Sequence, residues 1–149
     1  MADVLERTLN LCKEKFRNKD VQLIHDEIPD NLKFLGNNLE ISQVFFNILN
    51  NAFDAVENQA HAQKWIRIDV AVKMNSIEVR VSDSGLGIPK EYQDKIFQPF
   101  FSTKDTGKGS GLGLSLALGI MQKHHGTIFL DTSGHYTCFV IKLPIDREN

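Results

Sequence analysis

The feature of this sequence that most restricts its fold is a long stretch, residues 84–109, that glycine and proline interrupt repeatedly. The interruptions fall at Gly85, Gly87, Pro89, Pro99, Gly107 and Gly109. A connection of this length is uncommon inside a compact domain, where it usually forms a functional lid or is disordered. We therefore expect regular structure on both sides of a lid, with one brief helix over residues 90–96 inside it.

The flanking segments alternate between helical and strand periodicity. Leu5, Leu9, Cys12 and Phe16 recur at helical spacing and predict a short leading helix. Similar spacing predicts a long helix over 38–58 and another over 112–123, and the predicted strands cover residues 21–25, 33–35, 65–72, 77–81, 127–130 and 137–143. This order predicts an α+β fold, a two-layer α/β sandwich whose mixed, mostly antiparallel sheet carries helices on one face.

Composition limits the class of protein. The 149 residues, 42% of them hydrophobic, suit a single domain, which we expect to span residues 1–149. The formal net charge of −2 argues against nucleic acid and membrane surfaces as partners. Cys12 and Cys138 form no motif, and no apolar run approaches the ~18 residues of a membrane span, so we expect a cytoplasmic location.

The long predicted helix carries a polar stripe. At about 100° per residue, one face collects Glu40, Gln43, Asn47, Asn51 and Asp54. Solvent-exposed faces favour Glu, Lys and Arg, whereas each Asn costs roughly 0.5 kcal/mol of helix stability relative to Ala. Amide oxygens are suitable ligands for Mg²⁺. The stripe therefore fits a metal site and a solvated face about equally well.

Two glycine-containing segments are candidate ligand sites. Asp83 ends a predicted strand before Gly85, Gly87 and Ile88, which suits either a tight turn against a ligand or an ordinary turn leaving the sheet. An ionised Asp83 only accepts hydrogen bonds, so it suits the exocyclic amine of a purine. The second cluster runs directly into a helix and predicts either a hinge or an anion site of backbone N–H groups, at Gly109, Ser110, Gly111, Leu112 and Gly113.

Between the two glycine clusters lies an aromatic segment, residues 96–104. Phe97, Phe100 and Phe101 are costly to leave in water, so the segment must either close over a ligand or pack beneath the sheet. Lys104 and Lys108 follow and are placed to meet phosphate groups, although solvation is the more common state of a loop lysine.

Together, and in this order, these segments resemble the GHKL superfamily of ATP-binding domains, which share the Bergerat fold. The resemblance spans about residues 37–144. The string Gln-Val-Phe-Phe-Asn-Ile-Leu-Asn-Asn-Ala at 43–52 is similar to the N box of sensor histidine kinases. The two glycine clusters resemble the two glycine boxes, residues 97–104 the F box of the lid, and residues 137–144 the final strand. The chain thus looks like the ATP-binding catalytic domain of a bacterial sensor histidine kinase, with its ATP lid at about 84–109.

The resemblance implies roles for individual residues. It makes Asn51 the Mg²⁺ ligand, sets Asn47 near the phosphates and directs Asp83 to the adenine amine. It implies Asn47, Asn51 and Lys104 as the catalytic group. The nucleotide-binding residues that it implies are Asn47, Asn51, Asp54, Asp83, Gly85, Gly87, Ile88, Phe97, Phe101, Lys104, Lys108, Gly109, Ser110, Gly111, Leu112, Gly113 and Thr137.

Position 47 separates the branches of the superfamily, because the hydrolases carry a glutamate there as the base that activates water. Asn47 cannot act as a base, which favours a kinase. The resemblance then implies transfer of the ATP γ-phosphate, with Mg²⁺, to a histidine on a separate dimerisation domain of the same parent protein, and onward to a response regulator. A stand-alone GHKL ATPase, an anti-sigma-type serine kinase and a non-catalytic docking module are the alternatives.

The phosphoacceptor histidine is expected to lie outside this chain. His25, followed by Asp26 and Pro29, superficially fits the pattern around such a histidine. However, its flanks alternate like a strand, and no second long helix follows to build a dimerisation bundle.

Overall fold

The computed structural model describes residues 1–60, 63–104 and 109–146. The helices are α1 (Ala2–Asn18), α2 (Asn38–Val56), α3 (Lys90–Gln93) and α4 (Gly113–Lys123). The strands are β1 (Val21–His25), β2 (Lys64–Val72), β3 (Ser76–Asp83), β4 (Thr127–Leu130) and β5 (Cys138–Pro144). The predicted α+β fold is confirmed.

One mixed sheet holds the strands in the order β1-β2-β3-β5-β4. β1 pairs with β2 in parallel, and the other neighbours are antiparallel. Alternate residues of the central strands point into the core and are almost fully buried, among them Ile66, Ile68, Ile77, Val79, Phe139 and Ile141. On β2 the residues between them, Arg67 and Asp69, are exposed, whereas Glu78 of β3 and Val140 of β5 are buried on the opposite face. The face that carries these core residues is therefore buried throughout, and the period-two alternation with exposed residues is clearest on β2.

The helices form a second layer against that face, with α2 between α1 and α4. The apolar stripe of α2 is buried along its whole length, at Ile41, Val44, Phe45, Ile48, Leu49, Ala52, Phe53 and Val56. Phe53 stacks on Phe16 of α1 with ring centroids 5.2 Å apart. Each fully buried side chain of this size contributes about 1.5–3 kcal/mol. This packing holds α2 rigidly over the sheet, so that its polar stripe has a defined position.

The start of α2 is set by Asn37, whose side-chain oxygen accepts hydrogen bonds from the backbone nitrogens of Leu39 (2.9 Å) and Glu40 (3.2 Å). This is an N-cap, which satisfies two of the amide groups that a helix leaves unpaired at its first turn. His124 holds Asn37 from the other side, because its Nε2 accepts the Asn37 backbone N–H at 3.0 Å. The first residues of α2 are thus tied to the end of α4.

Three predicted elements differ from the structure. The leading helix has 17 residues rather than being short. The strand expected over 33–35 is wrong, because Phe34 alone forms a bridge, to Ile145, before Gly36 turns the chain into α2. The helix expected over 90–96 ends at Gln93, because the bonds from Lys95 N to Tyr92 O and Gln98 N to Lys95 O span three residues and form tighter turns.

Candidate functional site

A cleft of about 480 Å³ opens where α2, the end of β3 and the segments on either side of 105–108 meet. From α2 it is lined by Asn47, Asn50, Asn51, Asp54 and Ala55. The sheet contributes Asp83 and the neighbouring Thr137. The remaining lining residues come from the long irregular segment and the start of α4: Leu86, Gly87, Ile88, Pro89, Ile96, Phe101, Ser102, Thr103, Lys104, Gly109, Ser110, Gly111, Gly113 and Leu114. The cleft thus brings together segments that are far apart in the sequence.

Asp83, the last residue of β3, lies at the base of the cleft and is only 2% exposed. Burial raises its pKa to about 6, although a hydrogen bond from the Gly85 N–H to Asp83 Oδ1 (2.9 Å) favours the charged form. The Asp83 backbone N–H donates to the carbonyl oxygen of Thr137, 3.1 Å away. A buried carboxylate with one neutral donor is a strong acceptor for a further N–H group.

The turn that follows Asp83 is held in place by contacts to α2 and β2. A Cβ at Gly85 would lie 2.7 Å from Asp83 Oδ1 and 3.1 Å from the Ala55 Cβ, so no larger residue fits without movement. Ser84 is bound on several sides: Gln59 Nε2 donates to the Ser84 carbonyl (3.0 Å), and Ser84 Oγ accepts the Trp65 N–H (3.0 Å). These bonds fix the orientation of the Asp83 carboxylate.

The polar stripe of α2 divides into two halves. Asn47, Asn51 and Asp54 face the cleft, whereas Glu40 pairs with Lys123 (2.6 Å) and, like Gln43, lies outside the cleft. Asn47 Nδ2 donates to the Gly113 carbonyl at 3.1 Å. Within the described part of the chain, the Asn51 side chain makes no hydrogen bond, so its amide oxygen is available to a ligand.

Backbone groups line the side of the cleft formed by the second glycine cluster. Gly111 has φ +68°, and a Cβ there would come within 2.6 Å of the Phe100 backbone, so this position requires glycine. The Phe100 N–H donates to the Gly111 carbonyl at 2.9 Å. α4 begins two residues later, at Gly113. Its first N–H groups have no partner within the helix, which makes the segment suitable for an anion.

The aromatic segment splits between the core and the cleft. Phe101 lines the cleft, and its ring lies 5.7 Å from that of Tyr92. Phe97 does not line the cleft, because it packs edge-on against Phe139 of the core at 6.1 Å. Phe97 and Phe101 are thus both partly buried against the core. The expectation is wrong for Phe100, which is 78% exposed because its backbone, rather than its ring, contacts the second glycine cluster at Gly111.

An ion pair spans the cleft between Lys104 Nζ and Asp54 Oδ2. Lys104 comes from the irregular segment and Asp54 from α2, so the pair joins the two sides. The two side chains are 34% and 29% exposed, which limits the contribution of such a pair to about 1 kcal/mol.

The structure thus places most of the predicted nucleotide-binding residues around one cleft. Three of them do not line it: Gly85 supports Asp83, Phe97 packs against the core, and Leu112 is the N-cap of α4. Lys108 lies outside the described residues. The cleft is also lined by residues that no sequence motif indicated: Asn50, Ala55, Leu86, Pro89, Ile96, Ser102, Thr103 and Leu114. Of these, only Asn50 has a signal in the sequence, because it belongs to the asparagine cluster of α2.

Comparisons with known proteins agree on one family. Residues 36–147 match the family described as histidine kinase-, DNA gyrase B- and HSP90-like ATPase. The chain is 31% identical over 96% of its length to the C4-dicarboxylate transport sensor protein DctB of Rhizobium meliloti, and 31% identical over 96% to the sensory histidine kinase/phosphatase NtrB of Rhodobacter capsulatus. It spans only 22% of DctB and 42% of NtrB.

The fold is likewise similar to solved structures of histidine kinase ThkA. The nucleotide-free catalytic domain of ThkA superposes with a TM-score of 0.81 at 30% identity, covering 95% of this chain and 92% of that one. ThkA in complex with the response regulator protein TrrA superposes with a TM-score of 0.79 at 26% identity, covering 97% and 40%. In the part of this chain that the structure describes, no helix is long and apolar enough to cross a membrane.

Proposed function

The chain belongs to the histidine kinase-, DNA gyrase B- and HSP90-like ATPase family, and on that premise we propose that it is the ATP-binding catalytic domain of a sensor histidine kinase and lies in the cytoplasm. The observation that carries this proposal is the arrangement of the cleft. Asp83, a buried acceptor, lines the same cleft as the amide of Asn51 and the glycine-rich start of α4. An adenine nucleotide needs an acceptor for its amine and donors for its phosphates, and the cleft supplies both.

Asp83 selects the base in this proposal. Its carboxylate accepts the exocyclic amine of adenine, whereas guanine presents a carbonyl oxygen at the corresponding position and would be repelled. Because the pKa of Asp83 is about 6, the carboxylate is ionised at neutral pH and is competent to accept. Gly87, with φ +83°, and Thr137 border the same region of the cleft.

The phosphates and Mg²⁺ occupy the other part of the cleft in this proposal. The residues present fit a Mg²⁺ ion, because the Asn51 amide oxygen lacks a partner among the described residues and the Asp54 carboxylate is one turn away on the same helix. When bound, the ion would neutralise charge on the β- and γ-phosphates. The N–H groups of the glycine cluster and Lys104 would hold the phosphate oxygens.

The reaction proposed is transfer of the γ-phosphate to a histidine, which another domain of the parent protein supplies. Asn47 cannot deprotonate water, and its nitrogen is engaged with Gly113. His25 lies in strand β1 and His124 and His125 directly follow α4, so the described structure offers no helical hairpin around them. We propose that the chain is one catalytic domain with its lid at about 84–109, and that a response regulator receives the phosphate afterwards, as the ThkA complex suggests.

A phosphate-transfer assay tests this function against its alternatives. The chain is incubated with Mg²⁺ and γ-labelled ATP, alone and with the helical-hairpin segment of the parent protein. We expect little phosphate release by the chain alone and an acid-labile, base-stable label on the added segment, as a phosphohistidine gives. Rapid phosphate release by the chain alone would indicate a stand-alone ATPase, and an acid-stable label on a partner protein would indicate a serine kinase.

A further inference from the structure

Among the described residues, few charged side chains line the cleft, and their sum is unfavourable to phosphate. Among its described lining residues the charged side chains are Asp54, Asp83 and Lys104. The ammonium of Lys104 is already paired with Asp54. A nucleoside diphosphate or triphosphate therefore enters a cleft whose described lining has a net negative charge. The one cation of that described lining, Lys104, is already paired with Asp54.

The position of the pair is set from both sides. Asp54 follows Asn51 by three residues on α2, so the two side chains share one face of the helix. Lys104 lies beside the second glycine cluster, because a Cβ added at Gly109 would lie 3.2 Å from Lys104 Cδ. The Lys104 backbone N–H also donates to Ser102 Oγ at 3.1 Å. The ion pair thus lies between the proposed metal ligand and the proposed phosphate-binding backbone.

We propose that Asp54 makes phosphate binding depend on a divalent cation, an inference that rests on the proposed function. Without the cation, Asp54 holds Lys104 and adds a negative charge beside the phosphates. With the cation, the charges of Asp54 and the phosphates are neutralised together, and Lys104 exchanges Asp54 for a phosphate oxygen. Asp54 is therefore a specificity-determining residue, which favours the cation-bound form of the nucleotide over the free form.

Substitutions of Asp54 and of Lys104 should change the affinity for cation-free ADP in opposite directions. Asp54→Asn removes the negative charge and frees Lys104, so cation-free ADP is expected to bind about tenfold more tightly than it does to the wild type. Lys104→Gln leaves Asp54 unpaired, so cation-free ADP is expected to bind more weakly than to the wild type. Both variants are expected to bind adenosine as the wild type does, because adenosine carries no phosphate.

The experiment is a calorimetric titration of ADP and of adenosine, each with excess Mg²⁺ and with EDTA, into the wild type and the variants. Glu57→Gln is the matched control, because Glu57 lies one turn beyond Asp54 at the end of α2 and does not line the cleft. The proposal expects the ratio of ADP affinities with and without Mg²⁺ to fall sharply in Asp54→Asn and to stay unchanged in Glu57→Gln.

Two outcomes would overturn the proposal, and they are distinguishable from failure of the proposed function. If the ratio of ADP affinities with and without Mg²⁺ is unchanged in Asp54→Asn, and adenosine binding is intact, then Asp54 does not make phosphate binding depend on the cation. If that ratio changes equally in Asp54→Asn and Glu57→Gln, the cause is a general effect of negative charge near the cleft and not Asp54 itself. Absence of adenosine and ADP binding in the wild type would instead remove the proposed function, and this inference with it.

Discussion

Asn47 donates a hydrogen bond from its side-chain nitrogen to the carbonyl oxygen of Gly113, 3.1 Å away. The bond joins the middle of α2 to the first residue of α4, at the edge of the cleft. Because the nitrogen is engaged, the carbonyl oxygen of Asn47 is the atom left to face a ligand. Position 47 thus has a structural requirement for an amide, apart from any role in binding.

The amide of Asn47 should therefore be needed for stability. We expect Asn47→Ala to lower the free energy of unfolding by about 1 kcal/mol, and Asn47→Asp by about 2 kcal/mol, because a carboxylate cannot donate and would face the Gly113 carbonyl. Asn50→Asp is the control: Asn50 accepts from Lys15 Nζ (3.0 Å), a role that a carboxylate retains. Urea denaturation measures all three, and equal losses in Asn47→Asp and Asn50→Asp would contradict this account.

Two glycines of the same region should respond in opposite ways to alanine. Gly111→Ala should cost about 2 kcal/mol or more and weaken nucleotide binding, because of the positive φ and the close Phe100 backbone. Gly119 lies inside α4, and nothing lies within 4 Å of a Cβ there. Gly119→Ala should therefore stabilise the protein by roughly 0.5–1 kcal/mol. Thermal unfolding of the two variants would reveal the opposite signs, and a destabilised Gly119→Ala would be inconsistent with the structure.

Burial of Asp83 should make stability depend on pH. Its pKa is about 6 in the folded chain and 3.8 when exposed, so the folded state binds the proton more tightly. This contribution is complete below pH 4 and is lost as the pH rises through 6, a decrease of about 3 kcal/mol in the free energy of unfolding. Asp83→Asn should abolish the decrease, leaving the nucleotide-free variant more stable than the wild type at pH 7.5.

Comparison of wild type and Asp83→Asn by urea denaturation at pH 4.5 and 7.5 measures this effect. The difference between the two proteins should grow in favour of the variant as the pH rises. A difference that is constant with pH would mean that Asp83 titrates normally. The variant is also expected to lose nucleotide affinity, which would show that the protein gives up stability in order to bind.

The sequence predicted those parts of the molecule that follow from periodicity. The apolar spacing of α2 and the alternation of β2 and β3 identified these elements to within a few residues, because one face of each is buried. Asp83 was recognisable because a carboxylate followed by glycines marks the end of a strand. The prediction of a strand over 33–35 was wrong because the pairing of Phe34 with Ile145 depends on where β5 ends and not on the local pattern.

Contacts between distant segments could not be predicted in the same way. Phe97 and Phe101 lie in one loop without a period, so the sequence does not show which of them lines the cleft. The Lys104–Asp54 pair and the Gln59–Ser84 bond join the irregular segment to α2 and to the residues that follow α2, and no local pattern indicates such contacts. The raised pKa of Asp83 is likewise a consequence of burial, which only the folded structure reveals.

The measurement that tests the central claim most directly is a calorimetric titration of ADP and GDP, in Mg²⁺, into the wild type and Asp83→Asn. The account predicts saturable binding of ADP to the wild type, much weaker binding of GDP, and a loss of ADP affinity in Asp83→Asn of about tenfold or more. Equal affinities for ADP and GDP, or an Asp83→Asn variant that binds ADP as tightly as the wild type, would contradict the assignment of this cleft as an adenine-nucleotide site.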